Sequence, residues 1–465
     1  MKGSRPKVAI VGGGLAGMAA AMALSSRNLK VTLLESRSKT GGRAGSFLDP
    51  QSGVEIDYCQ HVAMGCCTNL LHLLDQAGQL GSWKPYRELL FIGPDGGCYP
   101  FASSSWMPAP LHFTKAFAGL KYLSTTVRQQ VARGMWKLMR LPDADAEKWR
   151  SMRDWLNDAG QSPTAIKAFW DVFLISALGE QTQRVAVAPA RKVFVDGFLS
   201  HRRAADVWVP QQPLSILFGE QLPQCLIDRG VDLRTSTQVK RVQRIGRQAV
   251  SLLISDGSTI PFDFLIVAIP WHQLPKVFGD DEEILPNLRQ AGAIPASPIT
   301  GIHLWSDRPL TDQPHLVFVD KVSQWLFRPA YASDSPHRVY HQVVVSASRD
   351  LPSRERLIEI VWEELRMLLP HAKEANLVDA KVVTDPKSVF SVSVETERER
   401  PESKTRLENL WLAGDWTCTG WPATMESAVI SGFRAADGIA TAIGDNRSWE
   451  QPPLERSRLS RWMIR

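Results

Sequence analysis

A strand, a glycine turn, a helix, a second strand and an acid follow one another within the first 35 residues. No other feature of the chain constrains its fold as tightly. Lys7-Val8-Ala9-Ile10-Val11 is a short, mostly apolar run that reads as a buried parallel strand. Gly12-Gly13-Gly14-Leu15-Ala16-Gly17 comes directly after it, with Gly12, Gly14 and Gly17 in the GxGxxG spacing. Leu15, Met18, Ala19, Met22 and Ala23 then fall on one helix face. A second strand over residues 30–34 ends in Glu35. Gly12 permits the tight turn, Gly14 lets backbone approach a pyrophosphate, and Gly17 lets helix pack on strand. Ala16 keeps the helix start small, and the free N–H groups there favour phosphate. Glu35 stands where an acid accepts hydrogen bonds from ribose hydroxyls. The order predicts an α/β fold with a dinucleotide at the edge of a parallel sheet.

The same stretch mimics something else. Residues 8–26 carry no charge and come after basic residues, as a signal peptide or membrane span would. The glycine spacing decides for the phosphate turn, and no other uncharged run is long enough to span a bilayer. The expectation is a soluble or peripheral chain. Its 465 residues allow two or three domain-sized units. A charged fraction of 22%, with 32 Gly and 30 Pro spread throughout, excludes disordered, collagen-like and coiled-coil classes. The net charge of +6 (54 − 48) comes with no nucleic-acid-binding motif, so no nucleic-acid partner is expected. Six cysteines form no CxxC pair and no metal-ligand spacing. They read as reduced thiols of a cytosolic protein with no metal site. Sixteen Trp against six Tyr suits apolar or interfacial surfaces, or simply a Trp-rich core.

The residues after Glu35 narrow the dinucleotide. The segment from Glu35 through Arg37 to Gly41-Gly42-Arg43 resembles the extended arm of glutathione-reductase-like flavoproteins, in the amine oxidase and phytoene desaturase branch. That resemblance implies FAD, with the arm passing under the flavin and its phosphates. Gly41 and Gly42 allow close backbone approach, and Arg43 can meet pyrophosphate charge. Arg37 reads equally as part of the arm or as a solvated charge. A matching half lies far downstream, where the strand over residues 409–413 ends in Gly414-Asp415. Asp415 is placed for the ribityl hydroxyls. The helix after residue 424 presents its amides, around Met425, to the flavin N1–C2=O edge. Glu426 in its first turn reads more simply as an acid complementing the helix dipole than as a catalyst.

The expected layout is a discontinuous Rossmann FAD domain with an inserted α+β substrate domain and a helical basic segment. The FAD domain takes residues 1–95, 206–275 and 401–445. Between these fall a helical segment (96–205) and a substrate domain with an antiparallel sheet (276–400), and a basic tail ends the chain (446–465). Strands are expected over residues 231–239, 249–254, 264–270, 298–305, 315–319 and 338–347, with a hairpin turn at Asp256-Gly257 and an amphipathic helix through Leu357, Val361 and Leu365. Residues 96–142 contain no Asp or Glu but six basic residues, interleaved with Trp106, Phe113, Trp136 and other apolar side chains. This pattern suits either an anionic bilayer surface or a substrate cap with a solvated basic face. The tail from residue 454 adds net +3 and either reinforces attachment or is disordered.

Taken with the stretches around Asp57, Gln60-His61 and residues 412–426, these motifs resemble the hydroxysqualene dehydroxylases, desaturase-like flavoproteins of squalene and hopanoid synthesis. Tyr58-Cys59 departs from the Asn-Gly expected before Gln60. The resemblance implies reductive loss of an allylic hydroxyl from a long-chain isoprenoid, hydroxysqualene, with an electron donor left unspecified. It also implies a backbone contact of Val239 with adenine, where the residues alone suggest an ordinary strand position. A general acid is required, and His61 and Asp57 are the candidates, with His61 otherwise a packing histidine. A location at the inner face of the cytoplasmic membrane is expected. Rival readings are a carotenoid-type desaturase or saturase, a prenyl-binding escort without catalysis and, more weakly, an amine oxidase.

Overall fold

The computed structural model describes residues 5–51, 53–279, 281, 283–284, 288–332 and 337–465. Its organising element is a five-stranded parallel sheet in the order Asp232–Arg234, Lys30–Leu34, Lys7–Val11, Phe264–Val267, Leu410–Leu412. Three distant stretches of chain thus build one sheet, as the matching halves predict. The Leu15–Ser25 helix is not one-sided. Leu15 through Leu24 are all buried, because the helix lies between this sheet and the Met425–Ala442 helix. A run of Ala and Met, apolar on every side, is what such a sandwiched position needs.

A second sheet of seven strands holds the opposite wall of the molecule. Its order is Leu377–Phe390, Ala296–Ser306, Val339–Ser346, Trp325–Phe327, His315–Phe318, Glu88–Ile92, Cys98–Ala102. Neighbours are antiparallel except His315–Phe318 with Glu88–Ile92. Glu88–Ile92 therefore belongs to this sheet, although a boundary at residue 95 assigns it to the cofactor part. The strands expected over residues 298–305, 315–319 and 338–347 lie here, and the helix through Leu357 is Arg354–Leu368. The stretch expected as one strand over residues 231–239 is instead two, Asp232–Arg234 and Val239–Ile245, parted by a turn at Ser236 with φ +50°.

The acid-free segment forms the Thr114–Gly119 and Thr125–Met139 helices. Val127, Val131, Leu138 and Met139 of the second are buried, and its basic residues Arg133 and Lys137 are exposed. The tail is ordered, with a short helix Arg458–Met463. Ser460 is 0% and Ile464 4% exposed, so it docks through specific contacts. No described helix is long and apolar enough to cross a membrane.

Candidate active site

A cavity of about 410 Å³ opens along the carboxyl ends of the parallel strands and reaches the seven-stranded sheet. The fingerprint residues meet there. Gly12, Gly14 and Ala16 line it together with Glu35, Arg37, Gly41, Gly42 and Arg43. Gly17 stays outside, on the packing side, where an added Cβ would stand 1.9 Å from the Gly12 carbonyl oxygen. The Glu35 carboxylate accepts hydrogen bonds from the amides of Gly13 (2.7 Å) and Arg37 (2.8 Å). It is held at the cavity wall with Thr237 and Val239 beside it. Arg37 is exposed, and its guanidinium donates to the Gly42 carbonyl at 3.3 Å.

The downstream half closes the other side. Gly414, Asp415 and Met425 line the cavity. Asp415 pairs with the Arg43 guanidinium, which also donates to the Ser388 carbonyl (2.8 Å) and lies 5.7 Å over the Trp271 ring. Arg43 thus meets a carboxylate as well as facing the cavity. Arg400, which no sequence motif marks, holds the loop that carries Asp415. It is 6% exposed and donates to the carbonyls of Asp415, Thr417 and Trp421. It sits in the run Glu395-Thr-Glu-Arg-Glu-Arg400, whose alternating charges look like a solvated surface.

Of the two acid candidates, the structure brings only His61 to the cavity. Its Nδ1 pairs with the Cys59 carbonyl at 2.8 Å, leaving Nε2 as the second ring nitrogen. Burial lowers the His61 pKa, opposed by that hydrogen bond and aided by the Arg43 charge. Asp57 is 1% exposed and does not line the cavity. It ends the Glu55–Asp57 strand and accepts from Ser46 Oγ (2.7 Å) and the Leu214 amide (2.8 Å). Burial pushes it up to about 6. Asp57 is a structural carboxylate that ties two segments together, because its strand turns it away from the cofactor edge.

Glu426 also lies outside the cavity, at 1% exposure. It accepts from the Asn69 amide (3.0 Å), Asn69 Nδ2 (2.9 Å) and the Leu70 amide (2.7 Å), so it satisfies the start of the Thr68–Gln76 helix. Burial raises its pKa to about 7. An acid whose folded pKa lies above its unfolded one adds stability at low pH and loses it as pH rises through the folded value. The Glu426 contribution is therefore expected to fall as pH rises from the ordinary carboxylate range to about 7, so the pH slope of the denaturant midpoint should differ between the parent and Glu426→Gln across that window. An unchanged slope would remove Glu426 from the account.

The residues present fit an adenine dinucleotide bearing a flavin. The Leu15–Ser25 helix has no side-chain cap, so its first amides remain for a ligand. A Cβ on Gly14 would meet nothing nearer than Gly42 Cα at 4.0 Å. That space is the cradle a diphosphate needs. Sheet, glycine turn, ribose acid and returning Gly-Asp together define an FAD-dependent oxidoreductase.

A family model described as flavin containing amine oxidoreductase matches residues 15–440, and the chain belongs to that family. Among curated proteins it is similar to hydroxysqualene dehydroxylases of Zymomonas mobilis and Sinorhizobium fredii. Each is 26% identical over 92% of this chain and 97% of its own length. It is also similar to the 15-cis-phytoene desaturase of Solanum lycopersicum, at 25% identity over 93% of this chain and 77% of that one. Among solved structures, an oxidoreductase from Methanosarcina mazei superposes with a TM-score of 0.70 at 16% identity, covering 93% of this chain and 100% of that one. Putrescine oxidase gives 0.67 at 18%, covering 94% and 99%. These structures share the fold.

Proposed function

We propose that the protein reductively removes the hydroxyl of hydroxysqualene to give squalene, a step of squalene and hopanoid synthesis. The observation that carries this reading is the cavity wall formed by Ala177, Leu178, Ile299, Val344 and Val389, which is apolar and free of acids. Among the described residues the only carboxylates lining the cavity are Glu35, bound to backbone amides, and Asp415, paired with Arg43. A cationic amine would find no free counter-charge there, whereas a hydrocarbon chain would lose nothing. The similarity to proteins named for hydroxysqualene and phytoene supports an isoprenoid substrate.

Reduced FAD, once bound, supplies a hydride. The chain does the rest. The leaving oxygen needs a proton, and His61 is positioned to hold it on Nε2 while Nδ1–H is committed to the Cys59 carbonyl. Because its pKa is lowered, the His61 imidazolium is a stronger acid than free histidine but scarcer at neutral pH. Consequently kcat/KM is expected to rise as pH falls below the ordinary histidine value and to level off only below the depressed pKa. The apolar wall keeps water from the allylic cation left by the departing oxygen. His61→Ala is expected to retain FAD and lose roughly 100-fold or more in turnover. Undiminished turnover would end the assignment.

The deciding experiment is anaerobic incubation of the flavin-reduced protein with hydroxysqualene, and of the oxidised protein with phytoene, reading products by mass. Squalene from the first supports the proposal. Conversion of phytoene alone replaces it with a desaturase reading. A donor must reduce the flavin between turnovers. A substrate this apolar points to work at a membrane surface, peripherally and on the inner face, with the basic helical segment toward the lipid.

A further inference from the structure

Three exposed tryptophans stand outside the cavity, on segments that the proposed chemistry leaves unused. Trp106 is 76%, Trp136 45% and Trp462 75% exposed. They belong to separate stretches, namely the loop over residues 104–110, the Thr125–Met139 helix and the Arg458–Met463 helix. The tail fastens these stretches together. Ser457 Oγ donates to the Ala109 carbonyl, Ser460 Oγ to the Leu199 carbonyl (3.2 Å), and the Arg465 amide to the Met139 carbonyl (3.0 Å). The buried Arg191 holds the Arg465 carbonyl. The last turn therefore runs from the loop that carries Trp106 to the end of the helix that carries Trp136.

Charge on this face has one dominant sign. Lys115, Arg133, Lys137 and Arg465 are exposed, and Arg140 lies 5.9 Å over the Trp136 ring. Of the acids beside the face, Glu455 pairs with Arg461 and Asp143 with Arg191, while Asp158, next to the Ala159 carbonyl that Lys137 meets, is exposed. Beneath the face, Phe101 stacks on Phe113 at 4.8 Å, and Phe173 packs on Phe101 and Phe198. Phe173 shares the Asp171–Leu178 helix with Ala177 and Leu178 of the cavity wall.

We infer that the loop over residues 104–110, the Thr125–Met139 helix and the C-terminal helix form one composite face that docks on an anionic lipid bilayer, with Trp106 and Trp462 seated at headgroup level. The indole pairs an apolar body with a polar N–H and so suits that boundary. The lysines and arginines around it are drawn to anionic headgroups. The inference rests on the proposed isoprenoid substrate, which resides in such a bilayer, and it assigns the tail a place in the docking surface.

The test uses the full-length, FAD-loaded protein in sedimentation with vesicles of phosphatidylcholine alone or mixed with phosphatidylglycerol. Binding is expected to the mixed vesicles, at least roughly tenfold above the neutral ones, and to weaken with added salt. Trp462→Ala and Trp106→Ala are each expected to weaken it by about fivefold or more, with flavin absorbance and thermal midpoint unchanged. Ile245→Ser, which removes a 75% exposed apolar side chain elsewhere, is expected to bind as the parent does. Equal binding to neutral vesicles, no binding, or the same loss in Ile245→Ser would overturn the inference. Vesicle binding without turnover of hydroxysqualene would leave it standing and sink the substrate proposal. Turnover in detergent without vesicle binding would do the reverse.

Discussion

Glu180→Ala is expected to cost about 3–5 kcal/mol of stability. The Glu180 carboxylate is 0% exposed and meets Arg349 in a two-pronged pair, Nη1 to Oε1 at 2.6 Å and Nη2 to Oε2 at 2.7 Å. Ser391 Oγ and the Gln181 amide also donate to it, at 2.6 and 2.9 Å. Burial works against its charge, yet Arg349, Ser391 and the Gln181 amide together hold the carboxyl below its ordinary value. Arg349 continues to the Ala296 carbonyl at 2.8 Å and so ties the wall beside Gly179 to the seven-stranded sheet. Removing the acid leaves a largely buried guanidinium uncompensated, and this penalty dominates the effect. The Lys39–Glu55 pair is the useful contrast. Its lysine side chain is 52% exposed, and breaking it is expected to cost under about 1 kcal/mol. Denaturant midpoints of the two variants measured side by side decide the matter. Equal losses would refute the ranking.

Gly17→Ala and Gly14→Ala are expected to fail in different ways. At Gly17 the new Cβ would stand 1.9 Å from the Gly12 carbonyl oxygen, so helix and strand must part, and the variant should fold poorly with or without cofactor. At Gly14 the new Cβ meets only Gly42 Cα, at 4.0 Å, and the protein itself has no reason to object. The methyl group enters the space where the backbone approaches the diphosphate. FAD affinity should therefore drop roughly 100-fold, about 2.7 kcal/mol, while the cofactor-free protein keeps its thermal midpoint. Flavin fluorescence titration and calorimetry separate the two outcomes. Undiminished FAD binding by Gly14→Ala would move the diphosphate elsewhere.

The cofactor edge was the legible part of this molecule, because a tight turn, a helix start and a strand-end acid are local demands met by neighbouring residues. Gly12, Gly14, Glu35 and Asp415 all line the cavity for that reason. Long-range partnership was not legible. Asp57 lies three residues before Gln60, yet its strand sends it into a bond with the Leu214 amide. Glu426 looked like a local helix acid and serves a different helix, at Asn69 and Leu70. Arg400 and Glu180 carry no sequence motif, and only the fold surrounds them with acceptors and donors. Glu88–Ile92 sits near the fingerprint in sequence, but beyond its hairpin mate Cys98–Ala102 it joins residues 315–318. Periodicity names an element and leaves its neighbour open.

The parallel sheet also sets an order of events during synthesis. Val8 pairs with Phe264, and Val267 pairs with Leu412, so the two inner edges of the sheet are completed by segments made some 250 and then nearly 150 residues later. A ribosome that has released the glycine turn has released only half a clasp. Phosphate-facing amides are made early, whereas Gly414, Asp415 and Met425 follow about 400 residues later. The FAD site is thus complete only once the most distant parts of the polypeptide have found each other in one sheet.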